Sequence, residues 1–236
     1  MTCDISSIIE SGNIHHVYQP LWNLEQWKAF GYEAFIRTNT KLNPEELFQL
    51  ARQQNQLFEL DTLSIKKSIS TFPAYLVEET YLFINIFPST LLNDRFPQFI
   101  DELISFFPFI VGRVVFEINE TKEEEHIWGT PTLNEKLDYL KETGFLFALD
   151  DVGKGAASLQ KIIELKPEFL KLDRYFSVGL AQDKAKQRLL SLLVNYCHNR
   201  MLLIIEGIEE SIDLTKAVHL KIPIAQGYLL GRPQEI

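Results

Sequence analysis

The sequence predicts an α/β fold, a TIM-type (β/α)8 barrel variant with an antiparallel strand near the N-terminus. Three observations predict it. About eight short apolar runs rich in β-branched and aromatic residues alternate with segments of helical period. Most of the runs are nearly continuously apolar, as parallel strands covered on both faces are. A chain of 236 residues suits one closed barrel better than an open sheet, and no repeat or linker divides it, so 1–236 reads as a single domain.

The elements follow in order. After a polar opening, HHVYQPLWNL and AFGYEAFIR are strands separated only by a turn region from Glu25 to Lys28. That is too short for a crossover helix, so the two pair antiparallel. Asn43 is placed to cap a helix, with Pro44 at its first position and Glu45 and Glu46 in its first turn, running to about Gln54. A second helix covers about Leu60 to Phe72. Six further strands follow: YLFINIF, RVVFEIN, FLFALDDV, EFLKLDR, MLLIIEG and IAQGYLL. Helical segments fall at about Phe96–Phe107, Leu133–Thr143, Leu159–Leu165, Lys184–Asn199 and Ile212–Leu220.

Composition excludes several classes. With 23 Lys and Arg against 32 Asp and Glu the net charge is −9, the wrong sign for general binding to duplex nucleic acid. Cys3 and Cys197 have no partner spacing and read as reduced thiols. No signal-type apolar region opens the chain and no window approaches a membrane span, so a cytoplasmic location is expected.

The chemistry sits at the C-terminal ends of the apolar runs, the face where barrels of this kind carry their active sites. There stand Glu33, Asn85, Glu117, the pair Asp150 and Asp151, Lys171 with Asp173, Glu206, and Gln226. Carboxylates converging on one mouth repel one another unless cations neutralise them. Without His or Cys in the set, hard oxygen-seeking ions such as Mg²⁺ or Mn²⁺ fit better than zinc. Adjacent Asp150 and Asp151 make two ions plausible, and a metal pair roughly 3.5–4 Å apart suits phosphodiester hydrolysis. From the residues alone, the expected function is that of a metal-dependent phosphodiesterase of moderate specificity.

The same residues carry a family resemblance over essentially the whole chain. YQP at 18–20, YEAFIR at 32–37, INIFP at 84–88, FEINET at 116–121 and LDDVGKG at 149–155 stand in order, followed by LKLD at 170–173, IEGIEE at 205–210 and QGYLLGRP at 226–233. Together they resemble the EAL domain, a bacterial cyclic di-GMP phosphodiesterase module whose product is linear pGpG. The resemblance implies a first metal held by Glu33, Asn85, Glu117 and Asp150. Asp150 would bridge to a second ion also held by Asp151 and Glu206. It further implies that Lys171 contacts the attacking water and helps deprotonate it. Arg37 matches a phosphate contact, Gln226 a residue near that water, and Gln19 a pocket-lining residue. Glu120 matches a glutamate that steadies the loop after the Asp pair. Asp173 and Glu209 are read either as support for this arrangement or as structural salt bridges. A homodimer and a regulatory protein acting in trans are the partners implied besides cyclic di-GMP.

The departures lie in that loop. Where the family usually reads DDFGTGYSSL, this chain reads DDVGKGAASL, with Val152, Lys154, Ala156 and Ala157 as replacements. They keep open a second expectation, a catalytically silent EAL domain that binds the dinucleotide or a protein. The bland readings are simple elsewhere. His15, His16, His126, His198 and His219 lack ligand spacing, the acid run Glu123–Glu125 reads as a solvated helix start, and FPQFI and SFFPFI read as core or dimer surface.

Overall fold

The computed structural model describes residues 4–118, 122–153 and 159–236. Eight strands close into one barrel in chain order: β1 (Ile14–Asn23), β2 (Lys28–Thr38), β3 (Tyr81–Ile86), β4 (Val114–Ile118), β5 (Leu146–Val152), β6 (Phe169–Leu172), β7 (Leu202–Ile205) and β8 (Ile224–Gln226). β1 runs antiparallel to both its neighbours, β2 and β8, and every other pair is parallel. Helices precede, connect and cover them: α1 (Ile5–Ser11), α2 (Pro44–Gln53), α3 (Leu57–Thr71), α4 (Ala74–Glu79), α5 (Pro88–Leu92), α6 (Phe96–Phe106), α7 (Pro131–Glu142), α8 (Leu159–Leu165), α9 (Lys184–Cys197) and α10 (Ser211–His219).

Local chemistry explains the boundaries. α2 begins with the expected capping box: Asn43 accepts from the Glu46 amide at 2.9 Å, and Glu46 accepts from the Asn43 amide at 2.9 Å. Thr130 and Asp183 cap α7 and α9 with their side chains. The opening segment, expected only to be polar, holds α1, whose Ile5 and Ile8 are buried with Leu47, Ala51 and Leu60. The acid run departs from expectation at one position: Glu123 and Glu125 are exposed, as expected, and Glu124 is not. Residues Lys122–Ile127 form a short 3-10 helix, and Glu124 within it is 1% exposed, not solvated. Arg52, from far earlier in the chain, neutralises it at 2.7 Å. Of the Phe-rich stretches, Phe96 is fully buried while Phe106 and Phe109 face outward.

The main core lies between the outer sheet face and the helices, as in Ile84, Phe116, Leu149 and Leu170 against Ile65, Leu103, Leu137 and Leu190. A second core fills the barrel itself, from Leu21, Phe83, Val115, Ala148, Phe169, Ile204 and Ile224. On β2 the corresponding place belongs to Gly31. A Cβ there would stand 2.7 Å from the Tyr81 carbonyl and 2.9 Å from the Phe83 ring, so Phe83 occupies the space that a β2 side chain would need.

Candidate active site

Side chains on one face of a strand recur every second residue. Two positions beyond the apolar interior layer, toward the C-terminal mouth, therefore come Asn85, Glu117, Asp150, Lys171, Glu206 and Gln226, with Glu33 beyond Gly31. β1 runs the other way, so Gln19 is reached by stepping back two residues from Leu21. Register makes neighbours of these groups: Gln19 pairs with Glu33 across β1 and β2, and Asn85 with Glu117 across β3 and β4.

Lys171 is the hub. Its ammonium lies 2.6 Å from Glu117, 2.8 Å from Glu206, 3.1 Å from Glu33 and 3.3 Å from Asp150. Burial by itself would push Lys171 down, but Asp150, Glu117, Glu206 and Glu33 together hold it well above the ordinary lysine range. It is an ammonium that donates. Burial, with Glu33 beside it, raises Glu117 well above the carboxylate range despite Lys171. Glu206 is pushed up to about 8, first by burial and then by Asp150 and Glu33, against the opposing pull of Lys171.

Amides complete the ring. Asn85 Nδ2 donates to Glu117 at 3.3 Å and to Glu33 at 3.5 Å. Gln226 Nε2 donates to Glu33 at 2.8 Å and to Gln19 at 3.2 Å, and Gln19 donates to the Gly231 carbonyl at 2.9 Å. Asp150, Asp151 and Glu206 offer oxygens that all lie within 4.8 Å of one another. Two adjacent strand residues normally point to opposite faces. Here Asp151 has φ 52°, and the β5–β6 register shifts between Leu149 and Val152, which turns both carboxylates toward one place.

The donor set fits a hard divalent cation. Its ligand atoms are carboxylate and amide oxygens. Asp150, Asp151 and Glu206 supply three such oxygens within 4.8 Å of one another, while Glu117 Oε1 is ion-paired with Lys171 at 2.6 Å.

The mouth opens into a cavity of about 510 Å³. Glu33, Asn85, Asp150, Glu206, Gln19 and Gln226 line it. Arg37 stands on its wall apart from the acidic cluster, donating to the Ile36 carbonyl at 2.8 Å. Glu209 stands at the rim, paired with Arg174 at 3.0 Å. Asp173 caps the turn after β6 by accepting from the Tyr175 amide at 2.8 Å. Glu120, Lys154, Ala156 and Ala157 lie outside the described residues. Sequence reasoning missed Arg174, Phe48, Phe87 and Tyr228 on the cavity wall. Only Arg174 carried a signal, a cation directly after the strand-end Asp173.

No helix among the described residues is long and apolar enough to cross a membrane. Comparison with known proteins places the chain. The family model described as "EAL domain" matches residues 2–233. The biofilm architecture maintenance protein MbaA of Vibrio cholerae is 27% identical over 93% of this chain and 28% of its own length. The cyclic di-GMP phosphodiesterase RocR of Pseudomonas aeruginosa is 27% identical over 98% of this chain and 60% of its own length. This chain thus spans less than two thirds of both relatives. A structure of Klebsiella pneumoniae BlrP1 with manganese and cyclic di-GMP superposes with a TM-score of 0.81 at 22% identity, over 94% of this chain and 56% of that one. With a barrel of matching topology and a family match along nearly its full length, the chain belongs to the EAL domain family.

Proposed function

We propose that this chain, acting as a single barrel domain over residues 1–236, is a metal-dependent phosphodiesterase that hydrolyses cyclic di-GMP to linear pGpG. One observation carries the reading: strand-end carboxylates and amides from seven strands meet around Lys171 at the base of an open cavity. Glu33, Asn85, Glu117 and Asp150 would hold a first Mg²⁺ or Mn²⁺, and Asp150, Asp151 and Glu206 a second. Such a pair supplies an activated water and charge stabilisation at the leaving oxygen. Gln226 and Gln19 orient Glu33 through the bonds already described. Lys171 first acts as the counter-charge that lets the carboxylates approach. It takes a base role toward water only when those carboxylates are engaged elsewhere. Arg37, which lines the cavity, would contact a substrate phosphate. Asp173 and Glu209 hold the rim turns, and Glu120 is assigned to the loop after Asp151 on sequence alone.

The test is incubation of the purified chain with cyclic di-GMP, with and without Mg²⁺ or Mn²⁺, following pGpG by chromatography and measuring binding in Ca²⁺ alongside. Metal-dependent pGpG is the expected result. Tight binding without product would overturn the enzymatic reading in favour of a dinucleotide receptor, the alternative raised by Lys154, Ala156 and Ala157.

A further inference from the structure

Outside the acidic cluster, Asp61 on α3 and Glu124 in the turn after β4 are each only 1% exposed. Both serve one short segment, the passage from β3 into α5. That passage cannot cap itself, because Phe87 at the N-cap has no accepting side chain and Pro88 follows. Asp61 Oδ2 accepts from the Phe87 amide at 3.1 Å. Glu124 accepts from the Ser89 amide at 3.0 Å and from the Ser89 hydroxyl at 2.7 Å. Arg52 reaches in from α2 to pair with Glu124 at 2.7 Å, and its guanidinium lies 5.5 Å over the Phe87 ring.

Capping alone would be met by a Ser, Thr or Asp at position 87. Buried carboxylates are a costly substitute, since each must be desolvated and then fully partnered. What they add is geometry. The turn at Phe87–Ser89 is fixed jointly by α2, α3 and the segment after β4, so the ends of β3 and β4 are tied together outside the barrel. Inside, those ends carry Asn85 and Glu117, whose side chains meet at 3.3 Å. On the cavity side, Phe87 packs edge-on against Phe48 with ring centroids 4.9 Å apart.

We propose that Glu124 and Asp61 are positioning residues: they set the turn after β3 so that Asn85 is presented, beside Glu117, to a divalent ion. This rests on the metal-dependent reading above. Both act through Asn85 and neither touches the reacting groups.

The experiment is calorimetric titration of Mn²⁺ into the full chain and its variants, with thermal denaturation in parallel. Glu124→Ala, which frees the turn that follows Asn85, is expected to weaken Mn²⁺ binding about tenfold, the low end of the range for groups that orient metal ligands. Glu124→Gln, which keeps one oxygen for the Ser89 amide but loses the charge that pairs with Arg52, should restore part of the affinity. Ile222→Ala, in the core at the opposite end of the barrel, should lower Tm and leave the affinity unchanged. Unaltered Mn²⁺ binding by Glu124→Ala, or an equal loss in Ile222→Ala, would overturn the positioning role while leaving the metal-dependent reading intact. A parent chain that binds no Mn²⁺ would overturn both. Should Glu124→Ala fail to fold, Ser89→Ala removes only the hydroxyl bond and is expected to weaken binding about threefold. Unchanged affinity there would again refute the role.

Discussion

Two layers inside the same barrel, one step of two residues apart along the strands, are built on opposite principles. The lower layer is apolar, with Phe83 and Phe169 in edge contact at 5.2 Å and Leu21, Val115, Ala148, Ile204 and Ile224 around them. The upper layer is polar and nearly as buried: Glu117 and Lys171 are 0% exposed. Burial of apolar surface stabilises the first in proportion to area. The second is tolerated only because every charge has a counter-charge or an amide within reach. The comparison teaches that the chemistry of the mouth is held in place by the layer beneath it, and that the two should fail differently.

The largest expected difference is in turnover. Glu33→Ala should abolish pGpG formation while the circular dichroism spectrum stays that of the parent, because the interior layer below is untouched. Retained activity would sink the assignment of Glu33 as a ligand. Next is Lys171→Met, which leaves four carboxylates without their shared cation. It should cost about 3–5 kcal/mol of stability in the presence of chelator, as removal of one member of a buried ion pair does. Mn²⁺ should recover a large part of that loss in a urea titration. Phe169→Ala, a cavity in the apolar layer, should cost about 3–4 kcal/mol. Here Mn²⁺ should give no recovery beyond what it gives the parent. If the two variants respond alike to the ion, the layers are not separable.

The smallest effect concerns pH. Burial pushes Asp61 up to about 7, eased by the Thr90 hydroxyl and the Phe87 amide. An acid whose pKa is higher folded than unfolded binds more protons in the native state, so stability is lost as pH rises from the unfolded value through the folded one. Asp61→Asn removes that loss. Relative to the parent, the variant should gain about 2 kcal/mol between pH 5 and pH 7, measured by urea denaturation at each pH. His16 works in the opposite direction: burial, followed by the charges of Lys67, His15 and Arg37, lowers it to about 4. Its contribution is therefore present above the unfolded histidine value and is lost as pH falls from there toward 4. A difference between variant and parent that does not move with pH would show that Asp61 titrates normally.

Most of the polar layer was legible because each member follows a short apolar run, and barrel topology puts the ends of those runs at the mouth. Asn85, Glu117, Lys171 and Glu206 needed only the position of the strand end. The Asp150–Asp151 pair was legible as composition and not as geometry. Alternation alone would separate the two side chains, and it is the positive φ at Asp151 with the register shift in β5 that unites them. Glu124 was misread for a related reason. An acid run looks solvated until a partner from another part of the chain is known, and Arg52 is that partner.

Period, run length and local capping are properties of the chain alone, and they set the fold class, the order of the strands, the antiparallel start and the residue types at the mouth. Which of those residues touch is settled by the closed barrel. Arg37 and Glu209 share the cavity without joining the cluster, whereas Lys171 meets four carboxylates contributed by four other strands or their ends. The physical reason is that contact across a barrel depends on closure, register and backbone twist summed over eight strands, and no local stretch of chain contains that sum.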